Sequence, residues 1–196
     1  MMKRFAIGIA CLMLVLSVGC GKSKPKRVEG PAVDPESAAA KAMELYDTDK
    51  NGKIEKTELD ATPALKYALS YMDKNADGGL DKAEIANQMK LWVESKIGLT
   101  TPALRFVAKG NKPAKGTKAT LTPEAFLPGL KTAEGTITKG ACAPSSAGNV
   151  DGLPGMTYGF YTITIDAYPN KKWGVEISSN NEIARKASGN YTIEVK

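Results

Sequence analysis

Two segments of twelve residues repeat one arrangement of oxygen-bearing side chains around a glycine. Residues 47–58 read DTDKNGKIEKTE, and residues 73–84 read DKNADGGLDKAE. In both, positions 1, 3 and 5 carry a carboxylate or an amide, position 6 is glycine, position 9 is acidic and position 12 is glutamate. A hard cation such as calcium takes about six to eight oxygen ligands, so a short loop must wrap around it. The repeated pattern therefore predicts two cation-binding loops.

Such wrapping assigns a role to each position of the loop. Side chains at positions 1, 3 and 5 point inward, position 7 offers its carbonyl oxygen, position 9 acts through water, and the position 12 glutamate offers two oxygens. Glycine at position 6 permits the sharp bend. The predicted ligands of the first loop are Asp47, Asp49, Asn51, Lys53, Glu55 and Glu58. Those of the second loop are Asp73, Asn75, Asp77, Gly79, Asp81 and Glu84.

Both loops, with their apolar flanks, resemble the EF-hand family. In that family, paired loops join at position 8, which is Ile54 in the first loop and Leu80 in the second. The resemblance implies two bound Ca²⁺ ions, whereas magnesium, with its octahedral geometry, fits this loop less well. The loops begin at residues 47 and 73, so the first exiting helix must be short, about 56–61. We expect a compact pair rather than a switch that opens widely.

Helix signals surround the loops. Asp34-Pro35-Glu36 provides an N-cap, a first-turn proline and an early acid, and Thr62-Pro63 begins the second entering helix in the same way. The last helix is predicted over about 82–97, with Gly98 as its stop. One side of that helix is expected to be apolar and carries Ile85, Met89, Trp92 and Val93.

The N-terminal segment, MMKRFAIGIACLMLVLSVGC, is typical of an export signal. Two basic residues precede an uncharged run over 5–18, which is too short for a comfortable membrane span. We predict a signal peptide over 1–19, cleaved before Cys20, and a flexible tether over 20–33. The stretch LSVGC resembles the lipobox of bacterial lipoproteins, which implies lipid attachment at Cys20, although Ser17 stands where leucine is usual. Plain secretion with cleavage at the same bond is the alternative.

The C-terminal half changes to short segments rich in Thr, Val, Ile and Tyr, separated by Gly, Pro and Asn. This pattern predicts an antiparallel β-sandwich over 99–196, with an exposed loop over 140–158 and a partly buried, structural Cys142. The segments KGNKPAKGTKATLTPE and GLPGMTYGFYTITI resemble the carboxypeptidase-regulatory-like, transthyretin-like domains. That resemblance implies an interaction module without catalysis.

Charge and composition exclude other classes. The chain has no histidine, which removes the commonest general base, and the two loops use eight of its 21 Asp and Glu residues, so we expect no enzyme. The net charge of +6 divides into +5 over 1–33, −4 over 34–98 and +5 over 99–196. Because the basic residues are scattered rather than gathered on one element, we expect no nucleic-acid partner.

Together these observations predict an α+β multidomain chain: a signal peptide, a compact helical EF-hand pair over 34–98 and a C-terminal antiparallel β-sandwich over 99–196. The predicted function is that of a calcium-binding exported lipoprotein, anchored to the membrane at the cell envelope and facing the periplasm or the surface. Its β-sandwich would contact a protein or polysaccharide partner. The alternative is a calcium-dependent adhesion or scaffolding module for cell wall or carbohydrate, since dockerin-like domains also carry closely spaced calcium loops.

Overall fold

A computed structural model describes residues 28–30, 32–108, 115–149, 152–186 and 190–195. The predicted signal peptide over 1–19, Cys20 and most of the tether over 20–33 lie outside the described residues. Within the described ranges, no helix is both long enough and apolar enough to cross a membrane.

The helices of the described ranges are α1 (Pro35–Tyr46), a 3-10 helix (Glu58–Ala61), α2 (Pro63–Met72), α3 (Lys82–Ser95) and α4 (Glu182–Lys186). The first exiting helix is thus a single 3-10 turn, as short as the loop spacing requires. The last helix ends earlier than predicted, because Lys96, not Gly98, adopts the left-handed conformation with φ of 54°. Val93 was expected on the buried side of α3 but is 43% exposed.

The two entering helices begin differently, although the sequence predicted the same start for both. The carboxylate of Asp34 accepts a hydrogen bond from the backbone N–H of Ser37 at 2.6 Å, as an N-cap does. At the start of α2, the side chain of Thr62 makes no capping bond. The backbone N–H of Ala64 instead donates to the carboxylate of Glu124 at 3.0 Å, so a residue distant in the chain satisfies this helix start.

The strands form three sheets. They are β1 (Lys53–Glu55), β2 (Gly79–Asp81), β3 (Ala103–Ala108), β4 (Lys118–Pro123), β5 (Ala133–Thr136), β6 (Ala141–Cys142), β7 (Ser145–Ser146), β8 (Gly159–Ile165), β9 (Trp173–Ile177) and β10 (Asn190–Val195). The first sheet consists of β1 and β2, which lie in the two loops. The second sheet has three strands in the order β10-β3-β6, and the third has five strands in the order β7-β5-β4-β8-β9. The chain is therefore mixed α and β, as predicted.

Two features of the sheets differ from the prediction. β10 pairs with β3 in parallel, with Asn190 opposite Ala103, whereas an antiparallel arrangement was expected. The segment 140–158 was predicted as one exposed loop but contains β6 and β7. These strands are two residues each, too short to show a period-2 pattern in the sequence. Cys142 at the end of β6 was expected to be partly buried and is 7% exposed, and burial raises the pKa of its thiol to about 11.

Strand β8, which lies between β4 and β9, has two unequal faces. One face is buried and carries Tyr161, Ile163 and Ile165. Thr162 and Thr164 lie half-buried on the opposite face. Phe160 shares that face but is fully buried, because Trp92 of α3 covers it with ring centroids 4.8 Å apart. The outer face of the sheet is thus covered by helices at one end and exposed at the other.

The helices approach this sheet closely at β9. A Cβ atom added at Gly174 would lie 1.8 Å from the carbonyl oxygen of Pro63, the first residue of α2. No side chain fits in that space, so glycine is needed for α2 to rest on the strand. Buried residues of 34–98 and of 99–196 consequently pack into one continuous cluster across the predicted domain boundary.

The carboxylate of Glu176 in β9 accepts several hydrogen bonds at the contact between the helices and the sheet. It is fully buried, and a buried carboxylate is costly unless hydrogen bonds satisfy it. Four side chains donate to it: the Tyr71 hydroxyl, the Gln88 amide at 2.8 Å, the Trp92 indole at 2.7 Å and the Ser178 hydroxyl at 2.6 Å. Since α2 and α3 both supply donors, this one carboxylate holds two helices on one strand.

A second buried carboxylate, Glu124, follows β4 and is 5% exposed. Besides the Ala64 N–H, it accepts hydrogen bonds from the Thr162 hydroxyl at 2.9 Å and from the Tyr46 hydroxyl at 3.4 Å. Burial raises the pKa of Glu124 above its usual value, and the hydrogen bonds oppose that shift only in part. Tyr46 ends α1, so this carboxylate joins the sheet to both entering helices.

We predict that Glu124→Gln makes the protein more stable than wild type near neutral pH. Because the folded-state pKa is raised, the unfolded chain loses this proton first. Wild-type stability therefore falls as the pH rises from about 4.5 through the folded-state pKa. Glutamine keeps an acceptor for Ala64 and Thr162 without a charge. Urea unfolding from pH 4 to pH 8 in chelator measures the difference, which should vanish at the acidic end.

The matched control is Glu134→Gln, which changes an exposed glutamate of the same five-stranded sheet that pairs with Lys118 at 2.7 Å. It should show no gain that grows with pH. A Glu124→Gln variant less stable than wild type at every pH would contradict the prediction.

Candidate metal centre

The helices fix both ends of each predicted loop. The last turn of α1 closes with a hydrogen bond from the Asp47 N–H to the Met43 carbonyl at 3.0 Å, so the first loop starts where the helix stops. The second loop likewise starts where α2 ends, because the Asp73 N–H donates a hydrogen bond to the Leu69 carbonyl at 3.1 Å. Both first-position aspartates therefore sit at a helix C-terminus, in equivalent backbone positions.

The bend of each loop occurs where the sequence predicted it. Gly52 and Gly78 have φ of 89° and 85°, a region that favours glycine. The first-position carboxylate holds the bend from inside. Asp47 accepts hydrogen bonds from the N–H groups of Asn51 at 3.1 Å and Gly52 at 3.0 Å. In the second loop, Asp73 makes the same two bonds to positions 5 and 6, at 3.2 and 2.9 Å.

The closing glutamates tie the start of each loop to its end. Glu58 accepts from the Thr48 N–H at 2.7 Å and from the Glu55 N–H at 3.1 Å, using one oxygen for each. Glu84 repeats this with Lys74 at 2.9 Å and Asp81 at 3.1 Å. Each of these carboxylates therefore bonds across its loop through both oxygens.

The net pKa shift of Glu58 reflects these bonds. Burial is the largest single influence and favours the neutral acid, but the hydrogen bonds from Glu55, Thr48 and Asp49 together outweigh it. The pKa of Glu58 consequently lies below its usual value, and the side chain is an anion at neutral pH.

The two loops are joined back to back by the short β1–β2 ladder. Ile54 and Leu80 are opposite each other in this antiparallel pair, and both are fully buried. This confirms the predicted contact at position 8. The pair therefore fixes the relative position of the two loops.

The first loop brings its carboxylates together. Oxygens of Asp47, Asp49 and Glu58 all lie within 4.8 Å of one another. Asn51 lies among them, because its amide donates to Asp49 at 3.0 Å. An all-oxygen set of this kind fits a hard divalent cation such as calcium and does not fit a thiolate- or imidazole-seeking metal. Glu55 instead pairs with Lys56 at 2.5 Å.

The second loop repeats the backbone pattern but not the convergence. In the part of the chain that the structure describes, its carboxylates do not form a second group of three as close as the first. Asp77 accepts the Gly79 N–H at 3.1 Å and also pairs with Lys53 of the first loop at 2.7 Å. Asp81 caps α3 by accepting the Glu84 N–H at 2.8 Å.

Sequence reasoning missed the side chain of Lys53, because position 7 was predicted to act only through its carbonyl oxygen. The hydrogen bond to Asp77 is the main reason that the pKa of the Lys53 ammonium lies above its usual value. The same bond is the main reason that the pKa of the Asp77 carboxyl lies below its usual value. No local signal predicts this pair, since it joins two different loops.

Comparison with known proteins agrees with the geometry of the first loop. Residues 40–61 match the EF hand family, which supports a calcium-binding EF-hand at this position. The matched region covers the end of α1, the whole first loop and the 3-10 helix. No curated protein and no solved structure showed significant similarity to the chain.

Proposed function

We propose that this protein is an exported calcium-binding lipoprotein that holds two ions in its paired loops and carries a non-catalytic interaction module. The observation that carries the proposal is the convergence of Asp47, Asp49 and Glu58 in a segment that matches the EF hand family. The equivalent backbone hydrogen bonds in the second loop support a second ion. The export signal, with Cys20 as the lipid attachment site, supports placement at the cell envelope.

Each residue of the first loop would supply a different kind of calcium ligand. Asp47, Asp49, Asn51 and Glu58 would supply side-chain oxygens, Lys53 its carbonyl oxygen and Glu55 a water-mediated contact in the first loop. A bound calcium ion supplies the positive charge that relieves repulsion among these carboxylates. The backbone N–H groups that hold the same carboxylates would keep the loop close to its binding conformation beforehand. Binding to the folded chain alone then stabilises the fold.

We further propose that the strands of 103–195 form a β-sandwich of the carboxypeptidase-regulatory-like kind. This module presents a surface to a protein or polysaccharide and performs no catalysis. The two sheets, β10-β3-β6 and β7-β5-β4-β8-β9, support this reading. The hydroxyl of Ser145 donates to the Gly155 carbonyl and accepts from the Gly155 N–H, so both of its hydrogen-bonding functions are used within the fold.

We predict that calcium raises the melting temperature of the wild-type chain and that Glu58→Gln with Glu84→Gln abolishes the shift. At 100-fold excess over Kd, each site should add about 2.7 kcal/mol, which corresponds to roughly 5–10 °C for a chain of this size. Differential scanning calorimetry with calcium or with chelator measures the effect.

The control for this experiment is Glu94→Gln, which removes the charge of an exposed α3 glutamate outside the loops. It should keep the full shift. An equal shift in the double variant would show that calcium binds elsewhere, and no shift in wild type would contradict the proposed function.

A groove beside α2 favours a second candidate function, calcium-dependent adhesion to a polysaccharide. Its volume is about 480 Å³, and its lining combines aromatic, charged and hydroxyl groups, which is typical of small-ligand sites. Tyr67 and Trp173 contribute half-buried rings, Lys66 and Lys172 contribute cations, and Thr192 contributes a hydroxyl. Because α2 leads into the second loop, calcium could influence the shape of this groove.

We predict for this candidate that the protein binds insoluble cell-wall polysaccharide in calcium and releases it in chelator. Trp173→Ala should reduce the bound fraction at least fivefold, since it removes an aromatic surface from the groove. Val107→Ala is the control, because Val107 is 52% exposed on the other sheet. Co-sedimentation measures binding, and equal retention with and without calcium, or in both variants, would contradict the candidate.

A further inference from the structure

The side chain of Lys53 crosses from the first loop to the second. Its ammonium lies 2.7 Å from a carboxylate oxygen of Asp77, with 36% of the lysine and 27% of the aspartate side chain exposed. On the way, its stem passes over Gly79. A Cβ atom added at Gly79 would lie 3.1 Å from the Cβ of Lys53 and 3.3 Å from its Cδ, so glycine leaves the room that the lysine stem occupies.

This crossing makes the two loops unequal. Lys53 and Gly79 both occupy position 7 of their loops. Because glycine has no side chain, the second loop cannot form the equivalent ion pair with the first loop from this position. Among the described residues, no ammonium pairs with the three converging carboxylates of the first loop, although its position 9 residue Glu55 pairs with Lys56. In the second loop, the position 5 ligand is already bonded to an ammonium. Lys53 also belongs to both sites, because its carbonyl is a predicted ligand of the first loop.

We propose that Lys53 determines the affinity of the second loop for calcium. Its ammonium is a built-in counterion of Asp77, which can offer that oxygen to an ion only after Lys53 releases it. The first loop therefore binds calcium more tightly than the second, and the difference comes from one side chain. This inference rests on the proposed function and adds to it an order of binding.

Two effects make the lysine unfavourable to a divalent ion. To bind calcium, the Asp77 carboxylate must break its ion pair with the Lys53 ammonium, which reduces the net free energy of binding. A positive charge that stays near the loop also repels the incoming ion, and such repulsion is only partly screened by salt at this distance. Without calcium the same charge is favourable, because it offsets repulsion among Asp73, Asp77 and Glu84. Removing it should consequently have opposite effects with and without the ion.

The test is isothermal calorimetry of calcium binding to the full chain with Lys53→Met. Wild type should show two unequal dissociation constants. The variant should tighten the weaker site about tenfold, so that the two dissociation constants become more nearly equal. Adding Glu84→Gln to the variant should remove the tightened site and so identify it as the second loop. In chelator, Lys53→Met should melt at a lower temperature than wild type.

The matched control is Lys74→Met, which removes the same charge from within the second loop. Lys74 lies next to Asp73, but its ammonium faces Glu182 at 3.6 Å, which is not a predicted ligand. This variant should keep both wild-type dissociation constants. Lys53→Arg, which retains the charge, should stay close to wild type.

The possible outcomes distinguish the role of Lys53 from calcium binding itself. Calcium binding by wild type with no difference between Lys53→Met and Lys74→Met would overturn the role of Lys53 alone. Equal tightening by both lysine variants would mean that net charge, not this ion pair, sets the affinity, which also overturns it. Absence of calcium binding by wild type would contradict the proposed function itself.

Discussion

Hydrogen bonds from backbone N–H groups to carboxylates hold the candidate metal centre together, and its other properties depend on them. Asp47 and Glu58 carry like charges a few ångströms apart, an arrangement that would spread if nothing opposed it. The N–H groups of Asn51 and Gly52 hold one carboxylate, and those of Thr48 and Glu55 hold the other. The peptide backbone thus supplies fixed partial positive charge where a cation would supply a whole one.

The position of the loops is determined outside the loops, by two buried carboxylates of the sheet. Glu124 bonds to Tyr46, the residue before the first loop. Glu176 bonds to Tyr71, two residues before the second loop, and to Trp92 of the helix that follows it. Breaking either set would leave a buried acid without partners, so the sheet holds the helices in defined positions. This arrangement gives calcium binding a physical route to the groove between α2 and β9.

The sequence predicted what depends on near neighbours in the chain. The bends at Gly52 and Gly78 and the pairing of Ile54 with Leu80 follow from local spacing, and the structure has both. Contacts between distant residues were not predicted. Glu176 and Trp92 are 84 positions apart, and the parallel pairing of β10 with β3 joins the two ends of the C-terminal half. Neither leaves a periodic signal in the sequence, because the partner's position is determined by the fold.

A crystal structure of the full chain grown with millimolar calcium tests the central claim most directly. The account predicts one ion in each loop, bound by side-chain oxygens of Asp47, Asp49 and Glu58 in the first and of Asp73, Asp77 and Glu84 in the second. The ammonium of Lys53 should have left Asp77 in that structure. Loops without an ion at that concentration, with Asp77 still paired with Lys53, would contradict calcium binding by these loops.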